Sequence, residues 1–169
     1  MSPADFSDSI FLTVLAVLTG LAVKILTVKL GITNLQEQAA FLDELTGRLV
    51  VRRSLPQTFA RLYIWNLFIS FIVITAGLVT FGVLSIIWAF LNLGLFSSDL
   101  NVFRRHIHPW LEAAAAVLSA ALGLWGGQNL QVLLNSSQAF PITAISIIFL
   151  LYGAAALLET LEIRRLRGF

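Results

Sequence analysis

The sequence predicts an all-α polytopic membrane helix bundle of about five transmembrane helices, N-terminus outside and C-terminus cytoplasmic. Three observations predict it. The 169 residues are 58% hydrophobic and only 12% charged, where a soluble domain carries about 25% charge; mean hydropathy is +0.89. Charge is also missing in blocks, between Asp8 and Lys24, between Arg61 and Asp99, and between Glu112 and Glu159. About 20 apolar residues cross a bilayer as helix, so these gaps hold about one, two and two crossings. Lastly, the basic residues fall on one side of the resulting topology. This composition excludes a cytosolic globular enzyme and a disordered tail. With no cysteine, it also excludes a disulfide-stapled secreted domain and thiol chemistry.

The N-terminal segment carries Asp5 and Asp8 but no basic residue. A signal peptide needs a positive n-region and a small-residue cleavage site, so the first apolar run is expected to stay as a helix at about 10–30. Lys24 and Lys29 near its end can snorkel to the headgroups. The polar stretch 33–58 follows. Asn34-Leu-Gln-Glu37 reads as a capping box, and Leu35, Leu42 and Leu49 recur every seven residues. This predicts an amphipathic cytoplasmic segment over about 34–53. Ser54-Leu-Pro56-Gln57 reads as the start of the next helix, with proline in its first turn.

From Leu62 to Ser98 no residue is charged, which is too long for one crossing. Gly77, Thr80 and Gly82 are the natural turn, so crossings are expected at about 60–79 and 83–98. The fourth begins near His108-Pro109 and runs over about 109–127. The neutral polar stretch from Gln128 to Gln138 reads as a loop, the last crossing is about 140–161, and Ile163-Arg-Arg-Leu-Arg-Gly-Phe169 forms the tail. With the N-terminus outside, Arg48, Arg52, Arg53, Arg61, Arg104, Arg105, Arg164, Arg165 and Arg167 all fall on the cytoplasmic side. Lys24 and Lys29 close the inner end of the first helix. These are all 11 basic residues, as the positive-inside rule demands. The expected location is a bacterial cytoplasmic (inner) membrane, and the expected partners are the lipid bilayer and other membrane subunits or a homo-oligomer. A pI near 9.5 on a net charge of only +2 brings no basic patch with interleaved aromatics, so nucleic acid is not an expected partner.

The candidate site comes from depth. Asn66, Asn92, His108, Glu112 and Glu159 each lie within roughly 10 Å of the cytoplasmic surface at about 1.5 Å per residue. An intramembrane carboxylate is a functional candidate by default, and polar contacts between membrane helices also serve packing. His108 and Glu112 are helical neighbours at i,i+4 and a candidate pair. Their face continues into Ala115, Ser119, Gly123 and Gly127, a small-residue stripe that lets helix backbones approach closely. Asn66, Ser70 and Gly77 share a face, as do Ser85, Ala89 and Asn92, and Tyr152, Ala155 and Glu159. Trp65, Trp110 and Trp125 fall near helix ends, as an aromatic belt predicts. His106-Ile-His108 invites a metal or haem reading, but two histidines without cysteine close no four-ligand site unless carboxylates join, so neither metal nor cofactor is expected. No Gly-rich phosphate loop, Ser-His-Asp constellation or HExxH is present, and the expected function is non-enzymatic.

With these residues assembled, the chain resembles the stage II sporulation protein M family of integral membrane proteins. The motifs are Asn66 with Gly77, Asn92 with Gly94, His108-x-x-x-Glu112 with Gly123, and Ala155-Ala156-x-x-Glu159, together spanning about residues 60–162. Pro109 follows the histidine where the family usually has glycine, and Leu93 separates Asn92 from Gly94. The resemblance implies a multi-spanning, non-enzymatic protein that works within a larger assembly, in a family linked to membrane remodelling and protein recruitment. Hence the expected role is a structural, assembly or recruiting subunit. The alternative is a small transporter or channel subunit that uses the polar layer.

Overall fold

The structure, a computed structural model, describes residues 5–30, 54–95, 103, 105–135 and 141–167. The amphipathic segment expected over 34–53 lies outside the described residues. Among those described, all regular structure is helical: α1 (Phe6–Lys29), α2 (Leu55–Val79), α3 (Val83–Trp88) running into a π-helical segment (Ala89–Leu95), α4 (His108–Gln128), α5 (Leu130–Asn135) and α6 (Ile142–Arg167). Four of these, α1, α2, α4 and α6, are long and apolar enough to cross a membrane. The chain is a multi-pass integral membrane helix bundle.

Local chemistry sets the helix ends. The Asp5 side chain accepts a hydrogen bond from the Ser7 amide at 3.5 Å, so α1 begins before the apolar run that starts at Ile10. Ser54 accepts from the Gln57 amide at 3.3 Å, and Pro56 occupies the first turn of α2. Hydroxyls inside the apolar helices return to their own backbone. Thr13 donates to the Ser9 carbonyl at 2.7 Å and Thr160 to the Ala156 carbonyl at 2.6 Å, which satisfies them where water is absent. The α2–α3 turn runs through Phe81 and Gly82, at φ 53° and 89°. There the Gly82 amide donates to the Gly77 carbonyl at 2.7 Å. A Cβ at Gly82 would be strained by that φ and would also lie 2.9 Å from the Leu124 Cα.

Cross-helix contacts give the helix directions. Asn66 meets Glu112, Ser70 meets Ser119, and Gly77 packs on Gly123, so α2 and α4 run parallel. Along α6 the order reverses, with Ile148 and Tyr152 in the cluster around Leu122 and Glu162 beside His108. Helix α1 starts beside the end of α4, where Phe6 meets Trp125 edge-on at 6.4 Å. The described residues after Val79 run back along the bundle, from Gly82 beside Leu124 to Asn92 on the cavity that Glu112 lines. Their helical part is six α-helical and seven π-helical residues, where the sequence predicts a crossing at 83–98. At α-helical rise that length covers about 20 Å, short of the roughly 30 Å of hydrocarbon.

Helix α4 is the axis of the bundle. Every residue from Ser119 to Gly127 is buried, and α1, α2, α3 and α6 all pack against it. The expectation was one small-residue stripe. Instead the whole circumference is covered, because alanine and glycine make the helix thin enough for several neighbours to close around it. Trp125 is likewise no belt residue: it is 5% exposed and packs on Phe6. By contrast α1 turns Phe11, Leu15 and Leu18 outward, which suits a lipid-facing helix. Past Gln128 the polar stretch expected as a loop is helical over Leu130–Asn135, and its last three residues lie outside the described residues. Asn129 donates from Nδ2 to the Trp125 carbonyl at 2.9 Å, and Leu130–Asn135, without glycine or proline, continues as the short helix α5.

Candidate functional site

At the end of the bundle where α2 and α4 begin and α6 finishes, polar side chains leave their helices to meet one another. Asn66 Nδ2 donates to Glu112 Oε1 at 2.9 Å, tying α2 to α4. A hydrogen bond of this length between two membrane helices ties their packing together. Asn92 sits on the π-helical segment and donates from Nδ2 to the Trp88 carbonyl at 3.3 Å. It is exposed, and it joins Asn66 and Glu112 as a wall of one cavity of about 280 Å³, which Trp65, Trp88 and Tyr152 also line. Asn92 thus lies on a π-helical segment, a feature frequent at functional sites. The cavity is at the small end of ligand pockets, which run from about 300 to 1,000 Å³.

One turn further in lies a second tier. Ser70 Oγ stands between Ser119 Oγ, at 2.8 Å, and the Tyr152 hydroxyl, at 3.1 Å. All three residues are buried, and together they join α2, α4 and α6. Tyr152 was recognised from sequence only as a face-mate of Glu159. Its hydroxyl, at helical spacing from that carboxylate, was the available sign. Of the stripe, Ala115 and Ser119 are fully buried, and Gly123 and Gly127 contact Gly77.

The histidines depart from expectation. His108 does not face Glu112. Its Nδ1 lies 3.0 Å from Oε2 of Glu162, and His106 Nδ1 lies 2.8 Å from the same oxygen. Although i,i+4 neighbours share a face, Glu112 is taken by Asn66 of α2. Antiparallel α6 delivers Glu162 to His108. Glu162 was missed in the sequence because only depth was read, and it lies beyond Glu159 towards the tail. Glu159 is partly buried, within electrostatic range of both Glu112 and Glu162. Of the predicted layer, Asn66, Asn92 and Glu112 line the cavity, His108 stands with His106 beside Glu162, and Glu159 lies near Glu112 and Glu162.

Fold and site together define a multi-pass membrane helix bundle whose helices are cross-linked at one end by buried polar side chains. The chemistry on offer is hydrogen bonding and one carboxyl group, that of Glu112, inside a small cavity. Comparison of the chain with family models, with curated proteins and with solved structures finds no match.

Proposed function

We propose that the chain is a non-enzymatic structural, assembly or recruiting subunit of a membrane complex, in line with its resemblance to the stage II sporulation protein M family. The observation that carries this reading is how the interior is used. Beyond the small cavity, the polar groups of α2, α4 and α6 are spent on one another through Ser70, Ser119 and Tyr152. The rest of the axis is filled by backbone-close glycine contacts. Such an interior suits a rigid scaffold with a wide apolar exterior for lipid and partner helices. A transporter or channel subunit is the second reading, favoured by Glu112 and two asparagines around one cavity.

One experiment separates them. Purified in mild detergent, the wild-type chain is expected in a discrete assembly larger than its own 18.6 kDa. Glu112→Gln and Glu159→Gln, which keep hydrogen-bonding shape and remove charge, should leave that assembly intact. A single chain in place of an assembly would sink the scaffold reading. Cation uptake into vesicles that is lost in folded Gln variants would establish the transport reading.

The proposed topology has five crossings, with the returning segment after Val79 as a shortened third, in a bacterial inner membrane with the C-terminus inside. Single cysteines at Ser7, Ser54, Ser98, Ser136 and Gly168 test it cleanly, since the chain has none of its own. An impermeant thiol reagent added outside should label positions 7 and 136 and spare the others. Labelling at 54 or 168 in intact cells contradicts the orientation.

A further inference from the structure

We infer that His106, His108 and Glu162 form a binding site for a divalent transition-metal ion of the zinc class, which clasps the start of α4 to the end of α6. One donor atom from each residue, an imidazole nitrogen from either histidine and a carboxylate oxygen, lies within 4.8 Å of the other two. Oε2 of Glu162 stands 2.8 Å from one nitrogen and 3.0 Å from the other. Ligands about 2.1 Å from a common ion stand about 3.0 Å apart at right angles and about 3.4 Å apart at the tetrahedral angle. Both nitrogen–oxygen separations come within a few tenths of an ångström of a coordination shell.

A second observation points the same way. His108 Nδ1 is buried and makes no hydrogen bond, although the Glu162 oxygen is close by. A nitrogen so placed beside a carboxylate, without the geometry to donate to it, is suited to present its lone pair to a cation. The two imidazole rings are inclined at 48° with centroids 5.6 Å apart, so they do not stack. Their near edges converge on Glu162 instead. Two imidazoles and one carboxylate suit zinc and its neighbours in the transition series, whereas calcium and magnesium prefer oxygen-only shells. The side chains of His106 and Glu162 are about one-third exposed, at 35% and 33%, which leaves an approach from the aqueous side. Three protein ligands leave a coordination position for water.

The test uses the full chain, purified with a tag that contains no histidine and stripped with a chelator. After incubation with zinc and desalting, the wild type should retain one equivalent by elemental analysis. Its thermal midpoint in detergent should rise with zinc, because the ion binds the folded state. His106→Ala and Glu162→Gln should each weaken zinc binding by at least about 100-fold, since loss of even an outer-shell partner costs about 10–100-fold. Cobalt, added to the stripped wild type, should give visible d–d absorption that zinc displaces, a readout that needs no variant to fold. Absence of retained zinc, absence of the cobalt spectrum, or wild-type affinity in folded Glu162→Gln overturns the site. So does equal binding of magnesium.

Discussion

Gly123→Leu is expected to prevent the bundle from closing. Even a Cβ at this position would stand 3.0 Å from the Val73 carbonyl oxygen and 3.2 Å from the Ile74 Cα, both backbone atoms of α2. The Ser85 hydroxyl, which donates to Val73 O at 2.9 Å, stands closer still to such a Cβ. Neither helix can yield alone, because α4 is enclosed by four neighbours. Overpacking a filled core costs typically about 1–3 kcal/mol and occasionally more. Four heavy atoms placed against backbone belong at the upper end. At about 2–4 °C per kcal/mol for a chain of this size, the thermal midpoint should fall by about 10 °C or the folded yield should collapse. Phe71→Ala, which removes a side chain 66% exposed on the outer face of α2, should change it little. Equal thermal inactivation of the two variants in detergent would show that α2 and α4 are not in backbone contact.

The second large effect is expected at the junction of α1 with the returning segment. A Cβ on Gly94 would meet the Gly20 Cα at 2.7 Å and the Val17 carbonyl oxygen at 2.8 Å, and a Cβ on Gly20 would meet the Gly94 Cα at 2.9 Å. This is a two-glycine crossing, the device by which membrane helices gain van der Waals contact where lipid offers no hydrophobic drive. Gly94→Ala should lower the midpoint measurably, and Gly94→Leu should separate α1 from its partner. A thermal midpoint in detergent that is the same for Gly94→Leu as for the parent contradicts the close crossing. Leu26→Ala, at a side chain 58% exposed, is the matched control.

Much of the site was legible because polar residues are costly in a bilayer, so their depth is informative. Asn66 and Glu112, read as members of one layer, are in direct contact. Ser70 and Tyr152, each read as part of a helix face, complete the second tier. The partner of the histidines was not legible. The i,i+4 spacing of His108 and Glu112 is a relation within one helix, and Glu112 is engaged by Asn66 on another. Glu162, which meets the His106–His108 pair, stands more than fifty residues later in the chain, and no local pattern marks it.

By itself the sequence determined the all-helical class, the four long apolar helices and the small-residue character of the fourth predicted crossing. Each follows from local composition, since a bilayer demands an uninterrupted apolar length with its backbone bonded internally. Only the tertiary structure decided that α4 is the enclosed axis, that Trp125 is buried, that the third apolar run is a short helix ending in a π-helical segment, and that Glu162 rather than Glu112 meets His108. The reason is that lipid is as apolar as leucine. Leu15 faces outward and Val73 inward without any difference of type to tell them apart. Which faces meet is settled by the fit of small residues across helices, and that fit exists only once the helices are packed.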